Sequence, residues 1–211
     1  MQKTDNTLPI KVGFLIIGDE ILSGKTQDVN LKSLALALRS RGYMVNEVII
    51  VPDNFEEIIP ALNKLRFKYK YVFTSGGIGP THDDITMEAI GRALDLPLEI
   101  HAETRDFMIK EYAKKSIEVN EARMKMATFP RGSIPIRIPL SIAPGLKIEN
   151  IFVLPGIPSF FSSMLENVIP SLEQGNVMLQ ESVETKSLTE GKISKGLSDI
   201  QDLYKNIVFI G

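Results

Sequence analysis

The run at residues 12–17 (VGFLII) is unbroken apolar chain and stops at Gly18-Asp19-Glu20. Continuous rather than alternating hydrophobicity predicts a strand covered on both faces, as in a parallel sheet, ending in a loop free to carry function. Leu31, Leu34, Ala35 and Leu38 then recur at helical spacing. They predict one amphipathic helix, with Asn30 as its N-cap and Gly42 as its stop. Residues 45–51 form a second apolar run, and Asp53 with Glu56 has the spacing of a capping pair ahead of Ile58, Ile59, Leu62 and Leu65. Pro60 falls inside that pattern and predicts a kink or a broken first turn. A third strand at 71–75 (YVFTS) leads into Gly76-Gly77-Ile78-Gly79-Pro80-Thr81-His82-Asp83-Asp84, after which a helix runs from Ile85 to about Leu94. Strand and helix alternate three times. That order predicts an α/β fold with a doubly wound, mostly parallel sheet between helices, whose ligands lie at the carboxyl ends of the strands.

Beyond this unit the pattern loosens. Residues 103–128 carry alternating charge with a weak helical period and read as one or two surface helices, while 134–138 read as a short edge strand beside prolines. Residues 151–154 (IFVL) are a further buried strand, closed by Pro155-Gly156-Ile157-Pro158. Phe160, Phe161, Met164, Leu165, Val168 and Ile169 give a packing helix. A linker is expected at 173–176, followed by a strand at 177–183, a helix at 190–203 with Ile193, Leu197 and Ile200 inward, and a strand at 207–210. The expected organisation is one domain at 10–173 and a small α+β appendage at 176–211. The appendage holds too little core to stand alone and reads as incomplete or as docked on another surface.

Composition narrows the chemistry. Across 211 residues, 24 Lys plus Arg against 26 Asp plus Glu give a net charge of −2, so no global positive field exists to hold a nucleic-acid backbone. With 44% hydrophobic and 24% charged residues and a mean hydropathy of +0.04, the chain can close a sizeable core. It contains no cysteine, which removes disulfides, thiolate nucleophiles and Cys-ligated metals, and is compatible with the expected cytoplasmic location. Residues 1–9 are polar, without the apolar run of a signal peptide or membrane anchor.

Two motifs tempt and fall short. Residues 18–26 (GDEILSGKT) resemble a phosphate-binding P-loop, but the required first glycine is Asp19, an anion where phosphate would approach. Asp19 and Glu20 are better read as an acidic loop suited to a cation or a ligand hydroxyl. Residues 77–82 (GIGPTH) open like a dinucleotide fingerprint, yet the third glycine is His82 and Pro80 removes a backbone donor. The physical logic survives: Gly76, Gly77 and Gly79 let the backbone approach a bulky anion, and Thr81 adds a hydroxyl. Of Asp83 and Asp84, one is expected to cap the following helix, leaving the other to hold a hard cation such as Mg²⁺ or a ligand amine. His82 is a site candidate by position. His101 reads as a surface residue, and Lys110, Lys114, Lys115, Arg123 and Lys125, interleaved with acids, read as a solvated helix face.

Together, IGDEILSG at 17–24, the acidic turn at Asp53, TSGGIGPTHDDIT at 74–86, APG at 143–145 and LPGIP at 154–158 resemble the MoaB/Mog molybdopterin-binding domain family. The likeness is greatest to CinA-type competence/damage-inducible domains and to the N-terminal domain of animal FAD synthases, and it covers roughly 10–172. The resemblance implies that Gly76, Gly77, Gly79 and Thr81 hold the phosphate of a pterin or nucleotide. It implies Asp83 or Asp84 as functional acid and metal holder, and His82 or a neighbouring acid as the group orienting water. Asp19, Glu20, Asp53, Pro155 and Gly156 would line the pocket. Ser141 stands where many relatives carry Gly, a departure in what reads as a loop. CinA-type members imply divalent-metal-dependent (Mg, Mn or Co) pyrophosphate hydrolysis of ADP-ribose- or FAD-type nucleotides, whereas Mog-type members imply molybdopterin adenylylation. A non-catalytic binding domain is a third reading. The family also implies a homo-oligomer, dimer or trimer, with no nucleic-acid or membrane partner. The amidase domain of longer CinA proteins is not expected here.

Overall fold

The structure is a computed structural model that describes residues 9–177 and 188–204. Its centre is a six-stranded sheet in the order β2-β1-β3-β8-β7-β6. The strands are β1 (Ile10–Ile17), β2 (Tyr43–Val51), β3 (Val72–Ser75), β6 (Ile134–Ile138), β7 (Ser141–Ile148) and β8 (Ile151–Leu154). β2, β1, β3 and β8 run parallel, and β7 and β6 complete the sheet antiparallel. The expected doubly wound α/β sandwich is what the chain forms.

The unbroken apolar strands have a direct cause. In β1, Phe14 and Ile16 face one side, with Phe73, Phe152 and Leu154 of the neighbouring strands, against α2 (Asn30–Arg39) and α7 (Pro158–Val168). Leu15 and Ile17 face the other side, with Val72, Ile151 and Val153, against α3 (Phe55–Lys68) and α4 (Thr86–Leu94). Each central strand therefore feeds two cores. Phe14, Phe73 and Phe152 lie in register across three strands, the last two stacked with ring centres 5.0 Å apart. β2, at an edge, alternates instead, leaving Val48 and Ile50 exposed.

A smaller unit sits beyond α4. β4 (Leu98–Ile100) and β5 (Thr128–Pro130) form a two-stranded antiparallel sheet, joined by α5 (Ala102–Lys114) and α6 (Glu121–Lys125). Its core of Met108, Tyr112 and Ala127 is separate from both main clusters. The two expected surface helices are present, while this small sheet is absent from the sequence pattern because β4 is exposed throughout. His101 is more than a surface residue: its Nδ1 accepts the Thr104 N–H and caps α5.

Several local expectations shift. Asn30 is not the cap of α2; it lies in the first turn, buried, and Asp28 Oδ1 accepts the Leu31 N–H instead. Asn54, not Asp53, caps α3 by accepting from the Glu57 N–H, since the Asp53 carboxylate is engaged elsewhere. Pro60 does not break the first turn of α3; it stands on the exposed side, where the Glu56 carbonyl that loses its partner can meet water. The APG stretch at 143–145 belongs to β7, not to a loop. The helix expected at 190–203 is α8 (Glu190–Leu203), although Ile200 is exposed rather than inward. Of the strands expected around it, residues 178–183 and 207–210 lie outside the described residues. Among the described residues no helix is long and apolar enough to cross a membrane.

Candidate functional site

Four segments meet at the carboxyl ends of the parallel strands, the place where open α/β sheets bind ligands. After β1 the chain turns through α1 (Asp19–Leu22), whose Asp19 N–H donates to Asp53 Oδ2 at 3.0 Å. That bond ties the end of β1 to the end of β2. Burial pushes the Asp53 carboxyl above the ordinary carboxylate range; the Asp19 N–H opposes the shift, while the charges of Asp19, Glu20 and Asp83 reinforce it.

After β3 comes the glycine turn. Gly76 (φ +103°) and Gly77 (φ +65°) occupy backbone that favours glycine. A Cβ on Gly76 would lie 2.1 Å from the Ile17 carbonyl oxygen, and one on Gly77 would lie 2.1 Å from Thr86 Oγ1 and 3.5 Å from Asp53 Oδ1. The turn is thus pressed against the end of β1 and beside the Asp53 carboxylate. Thr86 locks it from below, its hydroxyl donating to the Gly76 carbonyl and its N–H to the Gly77 carbonyl.

Asp84 does not cap α4, whose N-cap position is Ile85 with no side-chain bond. Its Oδ2 accepts from the Thr81 N–H at 2.8 Å and from the Thr81 hydroxyl, folding the loop on itself close to Gly79. The Thr81 hydroxyl is also the main influence on Asp83, holding its carboxyl below the ordinary range. His82 is 99% exposed, with Nδ1 4.0 Å from Asp83 Oδ1. From outside, Lys125 Nζ donates to the carbonyls of Thr81 and Asp84 at 3.1 and 2.8 Å. Lys125 is therefore a strap on the acidic loop rather than part of a solvated face.

Asn30 joins two of the walls. Its amide nitrogen donates to Ser75 Oγ at 2.8 Å and to the Gly156 carbonyl at 2.9 Å, which fixes the Pro155-Gly156-Ile157 loop against the end of β3. Beside it, the β6–β7 register slips between Ile136 and Ile138, bulging β7 so that Ile142, Ala143 and Pro144 reach the same space.

The open cavity between these segments has a volume of about 640 Å³, in the range of small-molecule sites. The glycine turn, Glu20, Asp84, Ser141, Pro155 and Gly156, all named from the sequence, line it; Asp19, Asp53, Thr81, His82 and Asp83 stand behind or beyond that lining. Sequence reasoning missed Tyr112 and Lys115 from α5 and its cap, Met126 after α6, and Phe160 and Met164 from α7. Nothing in their local pattern marks them, because they reach the site only through tertiary packing.

Among the described residues no three His, Asp or Glu side chains converge closely enough to hold a metal by themselves. Glu20 and Asp84 are the two acidic residues of the cavity lining. Hard cations such as Mg²⁺ commonly take one or two carboxylates and fill their remaining positions with water and ligand phosphate.

A family model described as a probable molybdopterin binding domain matches residues 13–174. A protein of Pyrococcus abyssi is 38% identical over 203 residues, covering 90% of this chain and 80% of its own, and one of Caldivirga maquilingensis is 32% identical over 201 residues, covering 93% and 78%. Among solved structures, CinA of Thermoplasma acidophilum, described as of unknown function, superposes with a TM-score of 0.71 at 29% identity over 77% of this chain and 98% of that one. The molybdopterin biosynthesis enzyme MoaB of Thermus thermophilus shares the fold, with a TM-score of 0.50 at 22% identity over 77% and 91%. This chain belongs to the molybdopterin-binding domain family, of CinA/MoaB type.

Proposed function

We propose that this domain binds a phosphorylated nucleotide or pterin and, with a divalent cation (Mg, Mn or Co), hydrolyses a nucleotide pyrophosphate bond of the ADP-ribose or FAD type. The observation that carries the reading is the pairing, in one cavity, of a glycine turn open to a phosphoryl group with an acidic rim at Glu20 and Asp84. The apolar walls of Ile142, Pro144, Ile157 and Phe160 suit a flat heteroaromatic ring.

Each group has a role within this reading. The Gly76–Gly79 backbone receives phosphoryl oxygens where no Cβ intrudes. Asp84 on the lining and Asp83 beside it would hold the cation together with the ligand's phosphates, the Thr81 hydroxyl keeping the Asp83 carboxyl below its ordinary range. A bound cation would supply charge neutralisation on the phosphoryl oxygens. Asp53, whose Oδ1 flanks the glycine turn, takes a proton from the attacking water, and His82 at the rim is the other candidate for orienting it. The bond formed is water oxygen to phosphorus, the bond broken is the bridging P–O, and the water proton passes to the base.

A second reading, pterin binding with or without adenylylation, is favoured by the family match itself. Incubation with each of the three cations and ADP-ribose or FAD separates the two. Hydrolysis predicts AMP release that Asp83→Asn or Asp84→Asn reduces by about a hundredfold or more. No turnover together with tight molybdopterin binding would overturn it.

A further inference from the structure

We propose that Lys115 selects an anionic ligand for this cavity by contacting a phosphoryl group beyond the one held at the Gly76–Gly79 turn. The proposal rests on the reading of the cavity as a nucleotide phosphate site, and it adds the side chain that meets the second phosphoryl group of a diphosphate ligand.

The charge of the lining leads here. Glu20 and Asp84 are the acidic residues of the lining, and Lys115 is its one basic residue among the described residues. Two carboxylates repel an anionic ligand at close range, and backbone N–H groups offset only part of that cost. The side chain able to favour an anion over a neutral nucleoside is therefore Lys115.

Its neighbours are occupied, and it is not. Lys114 pairs with Glu111 at 2.5 Å, Lys125 is bound to two carbonyls, and Arg123 donates to the Glu118 carbonyl and lies over the Tyr112 ring. Among the described residues Lys115 makes no side-chain hydrogen bond or ion pair, which leaves its ammonium free for a ligand.

The backbone beneath it closes α5 in a defined turn. Lys115 caps α5, and Ser116 adopts φ +54°, unusual for a residue with a Cβ. The Ser116 N–H donates to the Ala113 carbonyl and the Ile117 N–H to the Tyr112 carbonyl, the paired bonds of a Schellman closure in which serine stands where glycine is usual. Ile117 packs on the cluster containing Tyr112, which itself lines the cavity. In the closed flank this turn sets the root of Lys115 on the cavity lining.

Calorimetric titration of the full chain with AMP and with ADP-ribose, in EDTA so that no turnover intervenes, tests this on wild type, Lys115→Ala, Lys115→Arg and the adjacent control Lys114→Ala. Loss of one charge-assisted contact predicts that Lys115→Ala binds ADP-ribose about tenfold more weakly and AMP within about twofold of wild type. Lys115→Arg restores most of the loss, and Lys114→Ala matches wild type. In turnover with Mg²⁺, Lys115→Ala raises KM with kcat little changed, the signature of binding lost equally from ground and transition states. Equal weakening of both ligands, no weakening of either, or an equal effect of Lys114→Ala overturns the proposal. A wild type that binds ADP-ribose in a Lys115-dependent way without releasing AMP in that turnover assay refutes hydrolysis and leaves Lys115 standing. Hydrolysis with an unchanged Lys115→Ala KM does the reverse, and a wild type that binds neither ligand overturns both.

Discussion

Gly76 and Gly24 have similar backbone character, φ +103° and +74°, and opposite surroundings. Around Gly24 an added Cβ meets nothing within 4 Å, so Gly24→Ala costs only the left-handed penalty, about 1 kcal/mol. At Gly76 the Cβ meets the Ile17 backbone oxygen at 2.1 Å, and backbone in the middle of a sheet cannot step aside. Gly76→Ala is expected to cost roughly 3 kcal/mol or more by adding that clash to the same penalty, and to lose ligand binding as the turn is displaced. Urea unfolding of the two variants, at unchanged slope, measures the contrast; equal midpoints would show that close approach is not why glycine stands at 76. The glycines were legible in the sequence because the chemistry of a phosphate turn demands them locally. Asn30 was not. Its residue type signals a cap, and its actual bonds to Ser75 and the Gly156 carbonyl span 45 and 126 residues, which no local pattern encodes. Asp84 likewise has the position of a cap and the geometry of a loop clamp.

The edge strand β2 pairs with β1 along its length, and a carboxylate adds a tie to α3. Glu47 on β2 accepts from Lys64 and Lys68 of α3, each at 2.6 Å, and from the Tyr69 hydroxyl at 2.9 Å. These bonds, Lys64 first, lower the Glu47 carboxyl to about 2. The folded state thus binds this proton less readily than the unfolded chain. The associated stability is complete above the ordinary glutamate range and is lost as pH falls from there through about 2. Glu47→Gln is expected to lower the thermal midpoint at pH 6, with wild type and variant converging near pH 2; a constant difference across that range would remove the clamp from the account. Element existence was legible wherever burial imposed a period: β1, β3 and β8 as continuous runs, α2 and α7 as stripes. β7 was hidden because Pro144 and Gly145 break the pattern, and they are tolerated where the bulge suspends pairing and where Gly145 packs against the Val153 carbonyl and Met164. β4 was hidden because no face of it is buried.

The molecule as a whole is a rigid sheet with a lightly built flank, and its cavity lies between them. The glycine turn, β7 and the Pro155 loop grow from the sheet, whose two cores are large; Tyr112, Lys115 and Met126 come from the α5–α6 unit, whose core is three buried side chains. Segments with few buried contacts open at lower free energy than the strands they lean on. Amides of α5 and α6 are therefore expected to exchange hydrogen well before those of β1, β3 and β8 in the free protein. A ligand seated in the cavity touches both parts, so it stabilises the closed flank by mass action. At about one hundred times its dissociation constant it should slow openings that destroy the site by about a hundredfold, equivalent to about 2.7 kcal/mol. Amides that already open only with global unfolding slow by the same factor, whereas frayed surface amides outside the site do not change. Hydrogen exchange with and without ADP-ribose or molybdopterin reads this directly. Protection confined to the glycine turn, with α5 and α6 unchanged, would mean that the flank is a bystander and that the ligand is recognised from the sheet side alone.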